Sequence, residues 1–285
     1  MNATETLLAK SLEQPIPPEI AAMASHVRSA HDGVMAVLAY GSCLRGVATT
    51  DSLIDLYVLT RDLRGVSANA LSRLGCRLIP PNVYYAECDI GGQRYRAKYA
   101  VLPMPLFAAG MTRSNPYFWA RFAQPSALAF AADQEARRDV ISAVASAART
   151  MFAHARAIAP VTDPLDIWAA GFRATYATEL RAEAGNRADQ LVAANESYYR
   201  DLAATLAATT AQPANWGWKR ASGKLWAAAR LIKASFTFSG GADYLVWKIE
   251  RHSGQKIAIS PWQRRHPVIA GLMLLPKLLA SKAVR

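Results

Sequence analysis

Apolar and polar positions give this chain two textures. Between about residues 30 and 105, apolar residues come in short runs punctuated by turn-forming residues. Residues 34–40 (VMAVLAY) read as an apolar strand running into Gly41-Ser42. Residues 53–60 read as a second strand, with Asp55 set in an otherwise apolar run. Residues 19–31 suit a helix leading into the first strand, and residues 66–75 a short helix after the second. The segments VYYAECDI and QRYRAKYAVL flank Gly91-Gly92, a hairpin pattern. From Pro103 onward the period turns helical. Residues 133–158 read as one long, strongly helical stretch. Asp163-Pro164 starts another, with Asp163 as N-cap and Pro164 at the first helical position. Helical pattern continues through 222–239, broken at 211–217, and resumes after Gly240-Gly241. The expected fold class is α+β: a mixed-sheet domain over 1–115, a helical domain over 116–262, and a basic, apolar tail over 263–285.

Composition narrows the class. The chain has 285 residues, 52% hydrophobic and 19% charged, which describes a globular protein with room for a real core. Net charge is +12 with a pI near 9.8, favouring an anionic partner: nucleotide, nucleic acid or acidic lipid. Cys43, Cys76 and Cys88 have no CxxC spacing, which argues against structural zinc and for a reducing compartment. The N-terminus lacks the basic start and apolar core of a signal peptide. No apolar run is long enough to span a bilayer.

The strand–Gly-Ser–strand–Asp arrangement carries the chemistry. Gly41 lets backbone approach a polyphosphate, and Ser42 offers a hydroxyl and an N–H to a phosphate oxygen. Asp55, on the adjacent strand, can hold a divalent cation that bridges the same phosphates. This layout resembles the nucleotidyltransferases of the polymerase-β type, whose usual pattern is Gly-Ser, a second Gly, then Ser-Asp-x-Asp. Gly46, Ser52 and Asp55 fall in place, but Leu53 stands where the first aspartate belongs. Strand alternation puts residues 51, 53 and 55 on one face, so Asp51 can supply the missing carboxylate. Glu87 and Asp89 share a face of the hairpin's first strand and are alternative third carboxylates. Lys98, inside an apolar strand, requires a counter-charge, from a phosphate or from Asp55 or Asp89. In YFWARFAQPS (117–126) the aromatics suit a core, while Arg121 can reach a phosphate. Lys219, Arg220, Lys224, Arg230 and Lys233 form a basic stretch, either a solvated helix face or a phosphate-binding wall; Arg230 and Lys233 share a face. His252 and His266 lack partners at metal-ligand spacing. In the tail, an apolar run after Pro267 lies between Arg264-Arg265 and Lys277, Lys282 and Arg285. It suits an interfacial segment on anionic lipid or a buried terminal helix.

Taken in order, Tyr40-Gly41-Ser42, Leu53-Ile54-Asp55-Leu56, Pro81-Asn82-Val83-Tyr84-Tyr85, Lys98-Tyr99-Ala100-Val101 and Ala120-Arg121-Phe122-Ala123-Gln124-Pro125 resemble the phosphatidate cytidylyltransferases of the mitochondrial translocator assembly and maintenance type, with their bacterial relatives. Cys43, Ala120 and Gln124 depart from that pattern. The resemblance implies a nucleotidyltransferase-type mixed-sheet domain followed by a helical domain, with CTP and Mg²⁺ (or Mn²⁺) at the junction. It implies catalytic roles for Asp55 and Lys98 and nucleotide binding by Tyr40, Gly41, Ser42 and Arg45. Metal would be held by Asp55 with Asp51 or Asp89. Substrate phosphate would be held by Arg121, Lys224 and Lys233. The implied partners are CTP, an anionic lipid phosphate and the membrane surface, with the enzyme peripheral on the cytoplasmic face and with no specific nucleic acid. The product would be CDP-diacylglycerol with pyrophosphate. Two other readings stay open: an inactive nucleotidyltransferase-fold module binding RNA or membrane, and a soluble small-molecule nucleotidyltransferase.

Overall fold

The structure is a computed structural model that describes residues 1–44, 53–159, 163–179 and 186–237 and the single positions 246, 260 and 262. Arg45, Gly46, Asp51, Ser52, the segment around His252 and the tail 263–285 lie outside the described residues.

Two helices precede the sheet. α1 (Ala3–Leu12) opens on a capping box: the Asn2 side chain accepts from the Glu5 N–H and the Glu5 carboxylate accepts from the Asn2 N–H, each at 2.9 Å. α2 (Pro18–Ser29) starts on Pro18, which has no N–H to leave unsatisfied. Strands β1 (Val34–Tyr40) and β2 (Leu53–Thr60) follow, then the short helices α3 (Leu63–Val66) and α4 (Ala70–Leu78). β3 (Asn82–Ile90) and β4 (Gln93–Pro103) form the hairpin around Gly91 and Gly92, whose φ values of 58° and 78° suit glycine. α5 (Met104–Gly110) and α6 (Trp119–Phe122) lead to β5 (Ser126–Ala131). The remainder is helical: α7 (Gln134–Ile158), α8 (Pro164–Tyr176), α9 (Arg187–Ala193), α10 (Glu196–Thr205) and α11 (Trp216–Thr237). α7 begins at the Asp133 cap and α8 at the Asp163 cap, whose carboxylate accepts from the Leu165 N–H at 2.8 Å.

The α+β class is as expected. The five strands make one mixed sheet in the order β3-β4-β2-β1-β5, parallel between β2 and β4 and antiparallel elsewhere. The C-terminal halves of β2 (Leu56 to Leu59) and β4 (Tyr99 to Leu102) are buried and apolar on both sides, as strands covered on two faces must be. α2, α3 and α4 cover one face, where the Tyr84 hydroxyl donates to the Val66 carbonyl at 3.0 Å. α5, α6 and α7 cover the other, where Tyr57 meets Phe122 edge-on at 4.9 Å.

The sheet does not end where the expected domain boundary at 115 falls, because its fifth strand is residues 126–131. α1, from the other side of that boundary, packs on α7 and α10. One continuous apolar core joins both halves. In the helical half it is built on Trp168, fully buried between Phe152, Phe172 and Tyr199, with its indole N–H donating to the Tyr199 carbonyl at 3.1 Å. Truncating such a tryptophan to alanine costs about 3–5 kcal/mol.

Candidate functional site

Strand register assembles the site. Tyr40 pairs with Asp55, Asp55 with Lys98, Lys98 with Tyr85, and Tyr40 on its other side with Ser126. Paired residues share a face, so Ser126, Tyr40, Asp55, Lys98 and Tyr85 form one row across all five strands. Tyr40 ends β1, and the chain turns at Gly41 with φ +86°. A Cβ at Gly41 would sit 3.4 Å from an Asp55 carboxylate oxygen, in a conformation that other residues resist. The backbone therefore passes directly over Asp55. Ser42 follows, exposed, at the start of a short 3-10 turn (Ser42–Leu44) closed by the Cys43 thiol donating to the Tyr40 carbonyl.

Two arginines from the helices complete the cluster. Arg121, on α6, has its guanidinium 5.0 Å from the Tyr40 ring centre and 5.3 Å from that of Tyr117. Arg230, on α11, lies 3.8 Å from the Tyr117 ring centre on its own account. Tyr117 is thus bracketed by two guanidiniums, a cation–π arrangement whose worth rises as water is excluded. Its hydroxyl meets that of Tyr57, on β2, at 3.5 Å. Glu179, exposed after α8, is a further carboxylate whose field reaches both arginines.

Burial and charge oppose one another here. Burial raises the Asp55 carboxyl above its ordinary value by more than Lys98, Arg121 and the Tyr40 hydroxyl lower it. Burial likewise raises the Tyr40 phenol. Tyr117 moves the other way: burial would raise it, but Arg121 and Arg230, with the Tyr57 hydroxyl and Lys98, outweigh that and hold it below the ordinary tyrosine value. Two buried polar groups in or beside the row, Arg121 Nε and Ser126 Oγ, have no protein partner among the described residues. Lys98 and Arg121 beside Asp55, with Arg230 across Tyr117 and an orphaned guanidinium N–H, form a setting for an anion of more than one charge.

The structure brings together Tyr40, Gly41, Asp55, Lys98 and Arg121 from the expected set. It does not bring Asp89 to them. Asp89 pairs with Arg94 while Tyr85 pairs with Lys98, a separation of about 13 Å along the strand at 3.3 Å per residue. There Asp89 is bound to Arg94 at 3.1 Å, exposed at the hairpin end. Glu87, the alternative, is engaged by Arg96 at 3.2 Å. Nor does the structure bring Lys233, whose ammonium donates to the backbone carbonyls of Ile79 and Pro81 and to the Asn82 side-chain oxygen at the start of β3, the latter two at 2.6 and 3.0 Å. Lys224 is exposed on α11. Arg45 and Asp51 lie outside the described residues.

Arg230, Tyr117 and Tyr57 are the residues that sequence reasoning did not assign. The signal for Arg230 was its shared helix face with Lys233; one turn separates the residue that reaches Tyr117 from the one that reaches β3. Of the aromatics in 117–126, Phe118, Trp119 and Phe122 are buried core, as expected, and only Tyr117 faces the arginines.

A metal is a separate matter. Among the described residues no group of three or more His, Cys, Asp or Glu side chains could hold one. A single carboxylate suits magnesium only as an ion carried in on a nucleotide's phosphates, with Asp55 as one ligand and phosphate oxygens supplying others. Likewise, no helix among the described residues is long and apolar enough to cross a membrane. No protein-family model matches this sequence, and no curated protein matches it.

Proposed function

We propose that the chain is a nucleotidyltransferase that binds a magnesium–nucleoside triphosphate and transfers its nucleotidyl group to a phosphate-bearing lipid. The observation that carries this reading is the register of Asp55 with Lys98 on adjacent parallel strands, beneath the turn at Gly41 and beside Arg121, with Arg230 on the far side of Tyr117. The sequence resemblance adds the substrates: CTP and phosphatidate, giving CDP-diacylglycerol and pyrophosphate at the cytoplasmic membrane surface.

In this mechanism the backbone at Gly41 and the Ser42 hydroxyl would hold the triphosphate, and Asp55 would be a protein ligand for magnesium, which would supply charge neutralisation at the phosphates. An oxygen of the acceptor's phosphate attacks the α-phosphorus. A P–O bond forms there as the bond to the β-phosphate's bridging oxygen breaks, and pyrophosphate leaves with that electron pair. The acceptor is already an anion, so no general base is required. Lys98, Arg121 and Arg230 bring anions together that repel in water and neutralise charge on the departing pyrophosphate. Catalysis is then positioning and electrostatics.

The test is pyrophosphate release with each of the four ribonucleoside triphosphates, magnesium and a panel of lipid phosphates. The expected result is highest turnover with CTP and phosphatidate. Asp55→Asn, which keeps shape and removes the charge, is expected to lower kcat by about 10²-fold or more, the scale seen when one preorganised electrostatic group is lost. An Asp55→Asn protein with full turnover at saturating magnesium would remove Asp55 from the site. Nucleotide binding without any pyrophosphate release would favour an inactive binding module.

A further inference from the structure

α11 has two unlike sides. Its inner side reaches the body of the protein through cations: Lys219 to the Ser114 carbonyl at 2.6 Å, Arg230 to Tyr117, and Lys233 to the start of β3. Its outer side carries Trp218, Leu225 and Ile232, spaced seven residues apart and 66%, 72% and 64% exposed. Seven residues are close to two helical turns, so the three form one stripe. α4 repeats the arrangement. Leu71, Leu74 and Leu78 recur at helical spacing and are each more than half exposed. Gly75, four residues after Leu71 and three before Leu78, shares their face, and a Cβ there would meet the Lys233 stem at 3.3 Å. The leucine face of α4 therefore runs up to α11.

Charge identifies the occupant. α4 contains two arginines and α11 five lysines or arginines, with not one carboxylate in either helix. Arg77, Arg220 and Lys224 are exposed among or beside the apolar residues. A nucleic acid would satisfy the cations and leave four leucines, an isoleucine and a tryptophan in water. A neutral apolar protein surface would bury the leucines and strand the cations. An anionic bilayer satisfies both, taking apolar side chains at headgroup depth and lysines and arginines among its phosphates.

We infer that α4 and the outer side of α11 form a docking face for anionic membrane, made by the folded body of the protein and separate from the tail at 263–285. This rests on the lipid-acceptor reading for its choice of partner. It adds that the helix bearing the docking stripe is the one that delivers Arg230 to the site, so the bilayer and the anion cluster lie on opposite sides of one helix.

The test uses the full chain with Cys88→Ser, leaving Cys43 and Cys76, which are buried. A polarity-sensitive dye is placed at Leu74→Cys, at Leu225→Cys, or at exposed Lys10→Cys on α1 as control. Vesicles of phosphatidylcholine, with or without phosphatidylglycerol, are added without nucleotide. The expected result is a blue shift, with quenching by brominated lipid, at positions 74 and 225 but not at 10, and only with phosphatidylglycerol present. Replacing Leu71, Leu74 and Leu78 by serine, or Trp218 and Leu225 by serine, is expected to lower vesicle partitioning by about tenfold or more while leaving the melting transition and turnover of a short-chain soluble acceptor in place. Vesicle binding with no quenching at 74 or 225 would overturn the inference and assign binding to another surface. So would labels already shielded without vesicles, in a self-associated chain or beneath the chain's own tail, or a preference for RNA over vesicles. Docking in a protein that releases no pyrophosphate would fail the proposed reaction alone. Turnover on soluble acceptor without docking would fail the docking face alone.

Discussion

Asp55 is held against its own preference. Burial raises its carboxyl value, so the folded chain favours the neutral acid relative to the unfolded chain. The stability this represents is fully present below the unfolded value and is lost as pH rises through the raised folded one. At neutral pH the ionised carboxylate therefore opposes folding. Asp55→Asn, which imitates the neutral acid, is expected to melt higher than the parent at pH 7–8, with the difference closing as pH falls toward about 4, the ordinary aspartate range. Calorimetry across that range checks the sign, and a variant less stable at neutral pH would mean that Lys98 and Arg121 need the charge to stay folded. Gly41, Asp55 and Lys98 were legible because strand alternation fixes which residues share a face once two strands pair. Tyr57, Tyr117 and Arg230 were not, since they come from β2, the chain before α6, and α11, and meet only through tertiary packing. Asp89 misled for a related reason: the right face of a strand says nothing about position along it, and the hairpin register carries Asp89 to Arg94.

Among the elements, α7 and the β3–β4 hairpin lie within a residue or two of their expected limits, because long periodicity and a Gly-Gly turn are strong local signals. β5 was not visible. SALAFA contains no β-branched residue, and it becomes a strand because β1 offers it an unpaired edge. α11 was legible as a helix but not as the carrier of a site residue. Its docking depends on Lys233, whose ammonium satisfies carbonyls at Ile79 and Pro81 and the Asn82 side chain. Lys233→Met keeps the stem against Gly75 and removes the donors. It is expected to cost about 1–3 kcal/mol, the penalty of leaving half-buried acceptors unmet, and to weaken nucleotide binding as Arg230 loses its seat. Melting and nucleotide titration together check this. A loss of stability with unchanged nucleotide affinity would separate α11 from the site.

At the scale of the molecule, a net charge of +12 surrounds a site that itself gathers cations. Bound polyphosphate should therefore stabilise both halves of the fold, since one continuous core joins them. CTP at about a hundred times its Kd is expected to add about 2.7 kcal/mol, seen only with a divalent cation and larger than the effect of ATP or GTP. Equal melting shifts for all four nucleotides would remove the preference for cytidine. The sheet order has one more consequence, which concerns how the chain is made. β1 is uncharged, apolar along its whole length and interior to the finished sheet, yet its second neighbour is encoded some ninety residues later. A ribosome that has released β1, β2 and the hairpin, but not yet residues 126–131, holds a nascent sheet with its most adhesive strand at an open edge. The emergence of α5 and α6 is expected to be the interval in which the chain is most prone to edge pairing, and it ends when β5 closes that edge.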